Sequence, residues 1–256
     1  MPAAVRPDSL VSLLRSGESA RPRLIWYAPG ERIELSGRVL ATWASKVADL
    51  LQEDLDAEVG TRVLLVGAPH WRLLAWALGT WTLGATVVVD ESGESATDVT
   101  AGIDVAADIV VADGSRIAAG EFDTTTPDAV VALTRAALAR TSPVALPPGV
   151  IDEAAVLLTY ADEMEPYDSA SADDPAVTGS IDLTYGELVS PASDARVHLS
   201  ASLPLPEVLR AAASTWAAGG SIVLTDPQWE AEQGGDPGSG AFADVLASEG
   251  VSAPRD

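Results

Sequence analysis

The chain has no cysteine and one lysine, Lys46. Without cysteine there are no disulfides, no thiolate metal sites and no cysteine nucleophile, and the composition suits a cytoplasmic protein. Positive charge is scarce: 15 basic residues stand against 38 acidic ones, a formal charge of −23. Such a surface repels phosphate backbones and anionic head groups, so no nucleic acid is expected as a partner. Histidine is limited to His70 and His198, too little for a histidine metal cluster, and no metal site is expected. His198 reads as structural. Long apolar runs are missing too. The nearest to a membrane span is Trp71 to Asp90, where Arg72, two glycines and a β-branched end favour a helix followed by a strand. The first twenty residues lack the continuous apolar core of a secretion signal, so a cytoplasmic location without a membrane span is the expectation. No Gly-x-Ser-x-Gly elbow, Walker loop, Gly-x-Gly-x-x-Gly turn or His-Glu-x-x-His helix is found.

What is present is a 47% hydrophobic chain of 256 residues, long enough for a sizeable core built from Ala, Val and Leu with seven tryptophans. Leu10, Leu13 and Leu14 predict a short helix, and "RLIWYA" and "RIEL" around "PGE" predict a hairpin. Ser36 then caps an amphipathic helix carrying Leu40, Trp43, Val47, Leu50, Leu51 and Leu55, with Lys46 on its solvent side. "DIVVADG" reads as a strand, residues 127–140 as a helix, and "TSPVALPPGV" as a linker. The acidic stretch Asp162 to Asp174 reads as a solvated loop, since it lacks the spacing and glycine of a calcium loop.

An internal repeat is the most informative feature. Residues 62–90 and 196–226 each run Arg-Val, a strand, a Pro-containing turn, an apolar helix, Thr-Trp-x-x-Gly, a Val-rich strand and a closing Asp. Thr80 matches Thr215, Trp81 matches Trp216, Gly84 matches Gly219 and Val88 matches Val223. Two β–α–β units follow, with the glycines stopping their helices and the strands suited to a parallel sheet buried on both faces.

These residues resemble a family. Leu35-Ser36, Gly60-Thr61-Arg62-Val63, Pro69-His70-Trp71, Leu83-Gly84-Ala85 and Asp90 fall where AMP-dependent synthetases, the acyl-CoA ligases and adenylation domains, carry their opening motifs. "IDLTYGEL" looks like the segment after that family's phosphate loop, with Tyr185 in place of a histidine, and "SLPLPEV" looks like its Leu-Pro-Leu-Phe-His, with Pro206 and Glu207 at the last two places. The resemblance is to a short, uncharacterised, actinobacterial-type group that matches the N-terminal part of these enzymes. It implies an α/β fold with a mostly parallel sheet, helices on both faces and two similar β–α–β subdomains. The expected layout is one truncated domain, 1–256, with subdomains at about 23–140 and 151–226, a flexible stretch at 227–240 and a short terminal helix at 241–250.

In the family, the phosphate loop is rich in Thr, Ser and Gly and ends Pro-Lys-Gly, while a second lysine comes from a C-terminal lid. Here the corresponding place holds Thr178, Gly179 and Ser180 and no cation, so a plain turn is the preferred reading. Those three residues, with His70 and Trp71 at the predicted helix start, are the candidate ligand-binding residues; no catalytic residue is assigned. The expected function is a non-catalytic, degenerate adenylating-enzyme homologue serving as a binding or protein-interaction module, with a protein partner or a second copy as its target. No cofactor is expected, ATP or AMP being the nearest candidates. Two alternatives stand beside it: a carboxylate-activating subunit whose lysines and lid come from a partner chain, and a sensor of AMP or an acyl group.

Overall fold

The computed structural model describes residues 5–89, 107–122 and 124–251, arranged as two sheets with helices between and around them. A 3₁₀ turn (Pro7–Ser9) enters α1 (Leu10–Arg15). The hairpin β1 (Pro22–Ala28) and β2 (Glu31–Ser36) turns at Gly30, whose φ of 71° is the left-handed conformation that glycine adopts freely. Ser36 caps α2 (Gly37–Glu53), its hydroxyl accepting from the Val39 N–H at 3.3 Å. The helix buries Leu40, Ala44, Val47 and Leu51 completely.

Next come β3 (Arg62–Leu65), α3 (Trp71–Thr82), β4 (Thr86–Val89), β5 (Ile109–Asp113), α4 (Gly114–Ala118), β6 (Ala129–Leu133), β7 (Ile151–Asp152) and α5 (Glu153–Val156). β8 (Pro175–Gly179) and β9 (Leu183–Thr184) form a second hairpin. β10 (Arg196–Ser200), α6 (Leu205–Ala217), β11 (Ser221–Thr225), α7 (Pro227–Glu232) and α8 (Gly240–Ser248) complete the described chain.

The larger sheet has the order β7-β6-β5-β3-β4-β8-β9, parallel except for β9. Its central strands β3, β4, β5 and β6 carry the Val, Ile, Leu and Ala runs required by burial on both faces. The smaller sheet has the order β10-β11-β1-β2, with only β2 antiparallel.

Both repeat copies fold as adjacent parallel strands joined by a helix, in the same register: Arg62 lies opposite Thr86 and Arg196 opposite Ser221. The two helices also stop alike. In α3 the Gly84 N–H bonds the Trp81 carbonyl and the Ala85 N–H that of Thr80; in α6 Gly219 bonds Trp216 and Gly220 bonds Thr215. Each is a Schellman stop, with φ of 76° at Gly84 and 82° at Gly219. The paired indoles extend the match, since Trp81 Nε1 donates to the Ala176 carbonyl on β8 and Trp216 Nε1 to the Arg23 carbonyl on β1, both at 2.9 Å.

These indole bonds reveal a crossed arrangement. Each β–α–β unit is flanked by a hairpin from the opposite part of the chain: β1–β2 joins β11, and β8–β9 joins β4. The strands of the expected first subdomain, 23–140, are therefore divided between the two sheets, and β7, β8 and β9 of the expected second subdomain lie in the larger one.

Three local expectations are corrected. Residues 127–140 are not a helix: Ala129–Leu133 is β6, paired in parallel with β5, and the chain then runs as a loop in which Leu138 is exposed. Lys46 is not on the solvent side, for it is 8% exposed and pairs with Asp162 at 2.7 Å. The stretch 227–240 begins with α7, capped by the Asp226 carboxylate, with Trp229 packed against Tyr27 and Phe242. Asp90, the closing residue of the first repeat, lies outside the described residues.

Candidate functional site

Open α/β sheets bind ligands beyond the carboxyl ends of their strands. The expected site residues are all at that edge of the larger sheet: Thr178, Gly179 and Ser180 at the end of β8, His70 and Trp71 after β3, with β4 between. Two strand spacings, roughly 10 Å, separate the groups.

At the end of β8 the backbone donors are already engaged. The Gly179 N–H donates to the Asp182 carboxylate at 3.3 Å and the Ser180 N–H to the Val89 carbonyl at 3.1 Å. Gly179 has φ 116°, and a Cβ there would collide with the Val89 carbonyl. The Ser180 hydroxyl is shielded from solvent and has no hydrogen-bond partner among the described residues. The hairpin thus packs directly on β4, and the side chain that takes its turn N–H is the anionic Asp182.

Tyr185 follows, fully buried, its hydroxyl 2.8 Å from the Ala85 carbonyl and 3.2 Å from that of Trp81. Burial pushes its phenol pKa upward, with Asp8 adding to the shift. The neutral hydroxyl fastens the second hairpin to the end of α3.

His70 is the N-cap of α3, with Nδ1 accepting from the Arg72 N–H at 3.3 Å, which assigns the ring proton to Nε2. The ring is 2% exposed, edge-on to Trp26 at 4.8 Å and tilted against Trp71 at 5.8 Å. Burial, then the Arg135 and Arg72 charges, hold its pKa well below the usual histidine range. Neutral His70 therefore joins β1 of the smaller sheet to α3.

Beside it is a buried ion pair that the sequence did not reveal. Arg72 and Glu153 are 2% and 1% exposed, with Nη1 3.2 Å from Oε1. The Glu153 carboxylate also accepts from Trp76 Nε1 at 3.3 Å and the Thr134 N–H at 3.4 Å. The Arg72 guanidinium lies 4.6 Å from the Trp71 ring centre and 4.9 Å from that of Trp43. The arginine stood out in an apolar helix, but nothing in the sequence marked a partner 81 positions away.

His198, on β10, donates from Nε2 to the Thr225 hydroxyl at 2.7 Å, and that hydroxyl donates to Glu230 on α7 at 2.5 Å. Burial lowers its pKa against the pull of Glu230. The relay ties β10, β11 and α7 together, the structural role expected of it.

No protein-family model matches the chain. A curated "TIGR03089 family protein" of Mycobacterium tuberculosis is 36% identical over 147 residues, which are 57% of this chain and 56% of the relative, so the two are of nearly equal length. Among solved structures, an acyl-CoA synthetase of Brucella canis is 17% identical with a TM-score of 0.71, matching 98% of this chain and 47% of its own. An anthranilate CoA ligase in complex with anthranoyl-AMP gives 14% identity and a TM-score of 0.66 over 88% of this chain and 45% of its own. The coronafacic acid ligase of Pectobacterium brasiliense gives 13% and 0.67 over 98% and 54%. The chain thus spans about half the length of each of these three enzymes, and its match to the curated relative covers 56% of that protein. Within the described residues no helix is long and apolar enough to cross a membrane. What the chain shares with these enzymes is their fold: it has the mostly parallel α/β architecture of the N-terminal part of an acyl-CoA synthetase.

Proposed function

We propose that this protein is a non-catalytic counterpart of adenylate-forming enzymes that works as a binding or protein-interaction module. The observation that carries the reading is the β8–β9 turn. A phosphate loop must present free N–H groups and a cation, whereas here the Gly179 and Ser180 N–H groups are bonded to Asp182 and Val89. Lys46 is engaged elsewhere, with Asp162. His70 supports the same reading, being held neutral and enclosed by Trp26 and Trp71. A protein partner or a second copy of this chain is then the target, with no nucleotide required.

The test is thermal unfolding with ATP and magnesium, AMP or CoA, together with ATP–pyrophosphate exchange on the same preparation. We expect no stabilisation and no exchange. A nucleotide that binds the folded state adds about 2.7 kcal/mol at a hundredfold excess over its dissociation constant, and a shift of that size with ATP or AMP overturns the proposal.

A further inference from the structure

The acidic stretch is not a free loop. Leu157 and Ala170, 1% and 4% exposed, anchor its two ends, while none of the twelve residues between them is buried. Tyr160 and Met164 pack partly on the core, and the rest of the hold on α1 and α2 is polar. Lys46 Nζ reaches the Asp162 carboxylate at 2.7 Å and the Tyr160 carbonyl at 2.5 Å. Arg15 pairs with Glu163 at 2.8 Å, bonds the Asp162 carbonyl and is braced by the Ser45 hydroxyl at 2.9 Å. From α2, Asp49 accepts the Ala161 N–H at 2.8 Å, Gln52 the Tyr167 N–H at 3.1 Å and Glu53 the Tyr167 hydroxyl at 2.6 Å, and Asp54, just past its end, accepts the Tyr160 hydroxyl.

The ion pairs are lopsided. The Lys46 and Arg15 side chains are 10% and 22% exposed, while Asp162 and Glu163 are 72% and 81% exposed. Both cations are rooted in the body of the protein and both carboxylates ride on the loop. Between the loop and α1 is a groove of about 570 Å³, lined by Val11, Ser12 and Arg15 of α1 on one side and by Glu163, Met164 and Pro166 of the loop on the other. That volume is within the range of small-molecule sites.

We propose that residues 158–169 form a strap that opens as a unit over this groove, with Lys46 and Arg15 as its latch. A segment with buried ends and a middle held by solvent-exposed ion pairs has a low local opening free energy, and salt screens what holds it shut. The single lysine of the chain is then spent on closure.

Amide hydrogen exchange tests this on the full chain, read at Ala161 and Tyr167, whose N–H groups bond to α2. In Lys46→Met both amides are expected to exchange at least about tenfold faster, while α2 and the central strands keep their protection. Raising salt from about 20 mM to about 500 mM should loosen the same amides in the wild type and have less effect in the variant. Should Lys46→Met not fold, Asp162→Asn releases the latch from its exposed side without touching the core. Unchanged exchange in the variants and at both salt concentrations overturns the proposal, as does loosening only in step with α2.

Discussion

His70 sits among Trp26, Trp71 and the first turn of α3, and its neutrality has a consequence for stability. Its folded pKa is depressed first by burial and then by Arg135 and Arg72. The unfolded chain therefore takes up a proton that the folded chain refuses, so the contribution is fully present above the ordinary histidine pKa and is lost as pH falls below it. The loss is about 1.4 kcal/mol per pH unit below roughly pH 6.5. Denaturant unfolding at several pH values reads this as a difference between wild type and variant, because His198, also depressed by burial, adds to the total. His70→Asn keeps a capping side chain but no titrating group, so its profile should be shallower by that amount; equal slopes would contradict the assignment. At this scale the sequence disclosed types and hid partners. His70 was legible as a residue at a helix start, but its enclosure by a tryptophan from the other sheet was not. Lys46 fell on a helix face that looked solvent-directed until the acidic stretch proved to fold over it.

The element scale was the most legible, because the repeat carries its own punctuation. Gly84 and Gly219 stop their helices by the same pair of hydrogen bonds, yet their surroundings differ. A Cβ at Gly84 would lie 2.9 Å from the Ala170 N and from Val59 Cγ2, while one at Gly219 meets nothing within 4 Å. Gly219→Ala should therefore cost only the left-handed backbone term, about 1 kcal/mol, and Gly84→Ala that term plus a packing cost of about 1–3 kcal/mol. Equilibrium unfolding of the two variants measures both, and equal losses would refute the distinction. Where the elements differ from the expectation, composition misleads. Residues 127–140 are rich enough in Ala and Leu to imitate a helix, but β5 needs a parallel neighbour on its open side, and Ala129–Leu133 supplies it. In the same way Pro227 and Gln228 resemble a flexible stretch until Asp226 caps their N–H-bearing turn and Trp229 finds Phe242.

Across the whole molecule the two hairpins are exchanged between the two β–α–β units, and no local signal in the sequence announces it: the Arg23 carbonyl and the Trp216 indole are 193 positions apart. The similarity of the two units was visible; which hairpin completes which unit was not. A cut within the Pro-rich segment 141–149 therefore does not separate two self-sufficient halves. The N-terminal piece would carry β1–β2 without β11, and β4 without β8. Each piece alone should give a non-cooperative unfolding curve by circular dichroism, and the two co-expressed should recover one cooperative transition. A piece that folds cooperatively by itself would disprove the mutual dependence. The exchange also bears on how the protein is made. A ribosome delivers β1 early and β11 some 198 positions later, as Leu24 pairs with Ile222, roughly 10–40 s at ordinary elongation rates. Through that interval the hairpin is a two-stranded ribbon, marginal by itself, with the hydrogen-bonding edge of β1 unclaimed. Neighbouring nascent chains on one message present the same edge at the same time, so the yield of this protein in a cell depends on what shields β1 before its own β11 arrives.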